Sequence, residues 1–172
     1  FSFFSEKPMI FVVNMDEKQW ESKQYPGKEE LKEFAADKKI PVIELCVKTE
    51  LEINQLDPED RKIFMEDLGI EVSGIDKLAS TAYEHLGLIS FLTAGQDEVR
   101  AWPIKKNTTA RKAAGKIHSD IEKGFIRAEV CKFDHLKEYG SMNKVKEKGL
   151  LSLEGKDYIV EDGDIINFRF NV

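Results

Sequence analysis

The chain reads as an α/β unit with parallel strands, followed by a smaller α+β module of the β-grasp kind. Three observations predict this. Near the amino end, two continuous apolar runs flank a stretch with helical spacing, the pattern of a strand–helix–strand crossover. Beyond Gly87 the apolar period shortens to that of strands. The charge also changes sign there. Residues 1–87 hold 11 Lys+Arg against 19 Asp+Glu, a net of −8; residues 88–172 hold 15 against 13, a net of +2. Such a change suggests two units, 1–87 and 88–172, with different partners.

In the first unit, residues 8–14 read as an apolar strand buried on both faces of a parallel sheet. "GKEELKEFAADKK" follows, with Leu31, Phe34 and Ala35 on one helical face. "IPVIELCV" is a second buried strand. "DPEDRKIFMEDLG" opens with Asp57 as N-cap and Pro58 at the first helical position, and closes on Gly69. "SGIDKLASTAYEHLG" repeats that design between Ser73 and Gly87. Two strands do not make a doubly wound sheet, so the unit looks like the carboxyl half of an α/β domain. The missing starting Met suggests a chain that begins inside a larger protein.

In the second unit, "LISFLTAGQDEVRAWPI" reads as a hairpin with Val99, Ala101 and Ile104 on one face. "TTARKAAG" is a short helix capped by Thr108 or Thr109 and ended by Gly115. "GFIRAEVCKF" is a strand, "DHLKEYG" and "MNKVKEKG" are short helices, and "KDYIVEDGDIINFRFNV" is a closing strand pair around Asp162-Gly163. Phe168 and Phe170 are expected in the core, and His118 is expected to be a hydrogen-bonded core histidine. Strands wrapped around one short helix argue for the α+β module.

Composition excludes several classes. With 41% hydrophobic and 34% charged residues, and no apolar run near the ~20 residues of a membrane helix, no membrane partner is expected. Cys46 and Cys131 lie in apolar runs without a CxxC partner, and the three histidines lack ligand spacing, so neither a disulfide nor a metal site is expected. A reducing cytoplasm fits this cysteine usage.

The first strand ends in Asn14-Met15-Asp16-Glu17. An Asn side chain donates and accepts, while a carboxylate only accepts. Guanine shows two adjacent donors on its pairing edge, which is why P-loop GTPases place Asn-Lys-x-Asp at the end of a buried strand. Here Met15 replaces the Lys, whose stem lies over the base plane, and Glu17 replaces the Asp, moving the carboxylate out by about 1.5 Å. Adenine would instead be met by backbone groups of the tetrad. The competing reading makes Asn14 and Glu17 caps of a turn into a helix. A second loop, "CVKTE", ends the next strand, where such GTPases place Ser-Ala-Lys; Cys46 and Val47 stand for Ser and Ala, and Lys48 is kept. Ligands sit at the carboxyl ends of parallel strands.

"KPMIFVVNMDE", "CVKTELE", "LTAGQDEVRAWPI", "AAGKIHSDIEKGFIRAEV" and "EGKDYIVEDGDIINFRFNV" together resemble the YchF family, the Obg-like ATPases, from residue 7 to 172. The resemblance implies the carboxyl-terminal part of a P-loop NTPase domain (1–87), followed by a TGS domain of β-grasp fold (88–172). It also implies ATP, or GTP, with Mg2+ in the intact protein. The base site would comprise Asn14, Met15, Glu17, Cys46, Val47 and Lys48. The family carries Asn-x-x-Glu, as here. These 172 residues contain no G-x-x-x-x-G-K-S/T loop, so no catalytic residue, no Mg2+ ligand and no hydrolysis by this chain alone are expected.

Between Val99 and Ser119 no acidic residue occurs. Within 100–127, Lys105, Lys106, Arg111, Lys112 and Lys116 stand beside Arg100, Lys123 and Arg127, with Trp102, His118 and Phe125 interleaved. Cations release counterions from a phosphate backbone and aromatics stack on bases, so RNA or ribosome contact is expected; the competing reading is a solvated positive face. The resemblance favours the ribosome. A rival from another class is a non-enzymatic β-grasp adaptor for RNA or protein. Oligomeric state has no signature in the sequence.

Overall fold

The computed structural model describes residues 3, 6–95 and 98–171. The chain divides into two compact units, Phe1–Leu86 and Gly87–Val172. It is a mixed α/β protein with one parallel and one largely antiparallel sheet. Among the described residues, no helix is long and apolar enough to cross a membrane.

In the first unit, β1 (Phe11–Asn14) and β2 (Val42–Leu45) pair in parallel, from Phe11 opposite Val42 to Asn14 opposite Leu45. The strand predicted over 8–14 is therefore shorter. Its partner begins only after Pro41, which lacks an N–H, and the Phe11 N–H takes the Pro41 carbonyl at 2.9 Å. Burial on both faces is not observed either: exposure alternates along β1, and Val12 is 46% exposed.

Helix α1 (Glu17–Ser22) precedes α2 (Lys28–Lys38), which buries Ala35 and stacks Phe34 on Phe11 with ring centroids 6.3 Å apart. Helix α3 (Val47–Gln55) follows β2 with only Cys46 between them, so Val47 and Lys48 lie in a helical first turn rather than in a loop. Ile53 anchors that helix. Helices α4 (Pro58–Asp67) and α5 (Gly74–His85) start as their capping sequences require. Asp57 accepts from the Glu59 and Asp60 N–H groups, both at 3.0 Å, and the Ser73 hydroxyl accepts from the Asp76 N–H at 3.1 Å.

The second unit contains β3 (Leu88–Ala94), β4 (Val99–Lys105), α6 (Ala110–Ile117), α7 (Ser119–Lys123), β5 (Phe125–Lys132), α8 (Phe133–Tyr139), α9 (Met142–Glu147), β6 (Ser152–Glu154) and β7 (Asp164–Phe170). The sheet runs β4-β3-β7-β5-β6, with β3 parallel to β7 and the other neighbours antiparallel. Ile89, Phe91, Ile104, Val130, Ile166 and Phe168 form the core under α6. Ala110, Ala113 and Ala114 present no bulk, so that helix lies directly on the sheet. Cys131, Val145 and Ile165 form a second cluster with α8 and α9 packed over it.

Several sequence expectations are corrected here. Ile104 faces the core, whereas Val99 is 70% exposed; period two places 99 and 101 opposite 104. The hairpin turn includes residues 96 and 97, which lie outside the described residues. Gly115 does not end α6. It sits inside the helix because Glu122 packs against it, and a Cβ there would overlap the carboxylate. His118 is not a core residue but the exposed N-cap of α7, its Nδ1 accepting from the Asp120 N–H at 3.2 Å. The closing strand pair is not formed: residues 156–161 make only a bridge between Thr109 and Ile159, and β5 takes β6 as its second partner instead. Phe170 is 43% exposed at the strand end, while Phe168 is core.

One buried polar network ties this unit together. Asp164 is fully buried, yet its carboxylate accepts from Lys132 Nζ at 2.7 Å, the Tyr158 hydroxyl at 2.8 Å and the Glu161 N–H at 2.9 Å. Burial alone would lower the Lys132 pKa. Hydrogen bonds to Asp164 and Glu161 outweigh that and raise it. Burial and the bond to Asp164 push Tyr158 up to about 12.

Candidate nucleotide-base and anion-binding sites

The ends of β1 and β2 carry the residues singled out from sequence in the first unit. The Met15 N–H donates to the Leu45 carbonyl at 2.8 Å and extends the ladder by one bond. The Met15 side chain is 2% exposed, so it anchors the strand end in the core and does not lie over a base plane. Its backbone is what reaches the strand end. Cys46 is buried as well and occupies the N-cap of α3 without a side-chain capping bond.

Asn14 supplies what Cys46 does not. Its Oδ1 accepts from the Val47 N–H at 3.1 Å, which satisfies one of the free donors of the first turn of α3 and joins two loops 33 residues apart. The capping alternative for the tetrad is resolved by Asp16. Asp16 Oδ1 accepts from the Gln19 N–H at 2.8 Å, and Gln19 Oε1 accepts from the Asp16 N–H at 3.1 Å, a complete capping box. Asn14 and Glu17 therefore do not cap α1. Glu17 reaches across to Lys48, Nζ to Oε1 at 2.9 Å, with both side chains more than half exposed. That hydrogen bond raises the Lys48 pKa, which keeps the ammonium charged. All six sequence-predicted residues of this group thus lie at one pair of strand ends, five of them tied across it.

Beside them is a cavity of about 440 Å³ lined by Trp20, Lys23, Glu44, Glu50, Lys77 and their neighbours, which sequence reasoning missed. Glu50 Oε2 is buried there without a partner, and its carboxyl carbon lies 2.9 Å from where a Gly74 Cβ would stand. No linear pattern announces this cavity, since its walls come from five segments.

In the second unit the buried alanines of α6 turn Arg111, Lys112 and Lys116 outward. Lys112 Nζ pairs with Glu122 Oε1 at 2.9 Å and holds that carboxyl below its ordinary range; Arg111 Nε donates to the Glu122 carbonyl at 3.1 Å. Arg111 and Lys112 share a cavity of about 330 Å³ with Lys156, a cation that sequence reasoning did not include. Lys105 and Lys106 lie apart from that helix in sequence, at the end of β4, both exposed. The Arg100 guanidinium stacks over Trp102 at 4.2 Å, and Trp102 Nε1 donates to Thr93 Oγ1 at 2.9 Å, so Trp102 is committed within the fold. Phe125 packs against the core, while His118 caps α7 through Nδ1 and keeps a side chain 63% exposed, so of the three aromatics only that imidazole stays open to solvent. Among the described residues no cluster of His, Cys, Asp or Glu is placed to hold a metal ion.

Comparisons with known proteins bear on both units. Residues 88–171 match the family model YchF-GTPase_C, described as "Protein of unknown function (DUF933)". The Ribosome-binding ATPase YchF of Bacillus subtilis (strain 168) is 46% identical over 171 residues, which cover 98% of this chain and 46% of the relative. The Obg-like ATPase 1 of Homo sapiens is 45% identical over 172 residues, 98% of this chain and 43% of the relative. The chain therefore spans about half the length of the curated relatives it matches. A solved structure titled as the Schizosaccharomyces pombe YchF GTPase superimposes with a TM-score of 0.82 at 32% identity, over 95% of this chain and 43% of that one.

Proposed function

We propose, from the premise that this chain belongs to the YchF family of Obg-like ATPases, that it is the carboxyl-terminal portion of a ribosome-associated P-loop NTPase. In this reading the first unit is the base-reading end of the nucleotide domain. The second is a TGS domain of β-grasp fold that contacts the ribosome or its RNA. The intact protein binds and hydrolyses ATP, or GTP, in the cytoplasm, with phosphates and Mg2+ held by residues other than these 172.

The observation that carries the nucleotide reading is the Asn14–Val47 hydrogen bond. It holds two loops together at the carboxyl ends of adjacent parallel strands, where α/β sheets bind ligands. Polar groups of Glu17 and Lys48 project from helical first turns on either side. In that arrangement Asn14 braces the base loop, the Met15 backbone meets the adenine edge, and Cys46, Val47 and Lys48 close over the base. The sheet order of the second unit supports the β-grasp assignment, because its first and last strands are central, adjacent and parallel while a helix crosses one face.

For the ribosome, the outward cations of α6 are the supporting feature, and relatives carry the name "Ribosome-binding ATPase". A phosphate backbone is held by counterion release, so binding falls steeply with salt. Replacing Lys105, Lys106, Arg111 and Lys112 by Glu is expected to abolish co-sedimentation with ribosomes at moderate salt while circular dichroism stays unchanged. Equal co-sedimentation of variant and parent at matched salt would reduce these cations to a solvated surface.

A further inference from the structure

Lys48 and Glu17 stand 31 residues apart in sequence, yet their side chains meet at 2.9 Å. Each is carried on a braced helical first turn, Glu17 by the Asp16–Gln19 capping box and Lys48 by the Asn14 bond to its neighbour Val47. Both remain open to solvent. We propose that Glu17 and Lys48 read the base as one unit, with Lys48 the residue that determines preference for adenine. This rests on the base-site reading above and goes beyond it, since that reading gave Lys48 no choice of base.

The argument is one of donors and acceptors. The pair presents an ammonium, which only donates, beside a carboxylate, which only accepts. Adenine's pairing edge carries an acceptor, the ring N1, beside a donor, the exocyclic amino group. The two edges are complementary: Lys48 donates to N1 and Glu17 accepts from the amino hydrogen on that side, which leaves the other amino hydrogen and N7 to the Met15 backbone. Guanine reverses the pattern in those places, with a ring N–H at position 1 and a carbonyl oxygen at position 6. Its ring N–H meets an ammonium that accepts nothing, its O6 meets a carboxylate that only accepts, and the Glu17 oxygen that could take guanine's donors is already engaged by Lys48. A guanine contact would therefore have to break the ion pair and leave one ammonium unpaired against donors. The same geometry gives a reason for Glu rather than Asp at position 17, because the longer side chain spans the distance to Lys48. Lys48 is thus a specificity residue whose effect requires Glu17.

The test uses the 172-residue chain labelled with 15N, titrated at millimolar concentrations with AMP and separately with GMP, following the amide signals of Met15 and Val47. The native chain is expected to prefer AMP. Lys48→Met removes the donor and frees both acceptor sites of Glu17, so the ratio of GMP to AMP dissociation constants should fall by about tenfold or more. Lys48→Arg, which still donates, should keep most of the preference. The Lys48 side chain is 66% exposed, so neither change threatens folding. If Lys48→Met leaves the ratio at its native value while both nucleotides still move the two amides, the role of Lys48 is overturned and the base site stands. If neither nucleotide moves those amides in the native chain, the base site fails and this proposal with it.

Discussion

Lys132→Ala is expected to destabilise the second unit by about 2 kcal/mol, below the cost of breaking a fully buried ion pair because the Lys132 side chain is 41% exposed. Asp164 beside it is fully buried, and without the ammonium its carboxylate keeps only the Tyr158 hydroxyl and the Glu161 N–H. Those two bonds limit the cost further. In thermal melts followed by circular dichroism, a unit of this size should lose at least ~8 °C. Lys132→Arg, which keeps the charge, should recover most of the loss. A change under about 0.5 kcal/mol for Lys132→Ala would mean that water reaches the carboxylate and the network carries little energy.

The same network has a pH signature. Tyr158 titrates at about 12 in the folded unit against an ordinary value of 10.0, so between those values the unfolded chain has released a proton that the folded one retains. Stability is therefore full below pH 10 and declines as pH rises towards 12, and Tyr158→Phe should flatten that decline.

The second large effect is an absence. The purified chain is expected to show no Mg2+-dependent hydrolysis of ATP or GTP above a buffer blank. Phosphoryl transfer rests on positioning phosphates and Mg2+, and these residues include no G-x-x-x-x-G-K-S/T loop. Base contacts supply only a few hydrogen bonds of ~0.5–1.5 kcal/mol each, which places affinity in the millimolar range. Turnover that follows the protein through successive purification steps would contradict this and would require a catalytic site among residues assigned here to base recognition.

Much of the architecture was legible because its signals are local. Asp57-Pro58 and Ser73 begin helices by satisfying N–H groups two or three residues away, and the apolar runs before Asn14 and Cys46 mark the parallel pair. What escaped was decided at long range. The three residues of β6 have no strand signature, and only their pairing with β5 makes them one. Gly115 reads as a helix stop but is needed inside α6 by Glu122 on the next helix. Val47 reads as the end of an apolar strand but turns into a helix, its N–H answered by Asn14 from another segment. The site shows the same division. Asn14, Glu17 and Lys48 were recognisable one by one, while the bond between Glu17 and Lys48, the burial of the Met15 side chain and the place of Lys156 beside Arg111 exist only in the fold.

The central claim is that the ends of β1 and β2 form one base-reading edge, and the amide spectrum of the chain tests it directly. On addition of AMP, the largest shifts are expected at Met15, Glu17, Val47 and Lys48. Asn14→Ala, which unties Val47, should weaken those shifts severalfold without unfolding the first unit. Shifts confined to residues 99–127, or a response of the Asn14→Ala chain equal to that of the parent, would contradict the account.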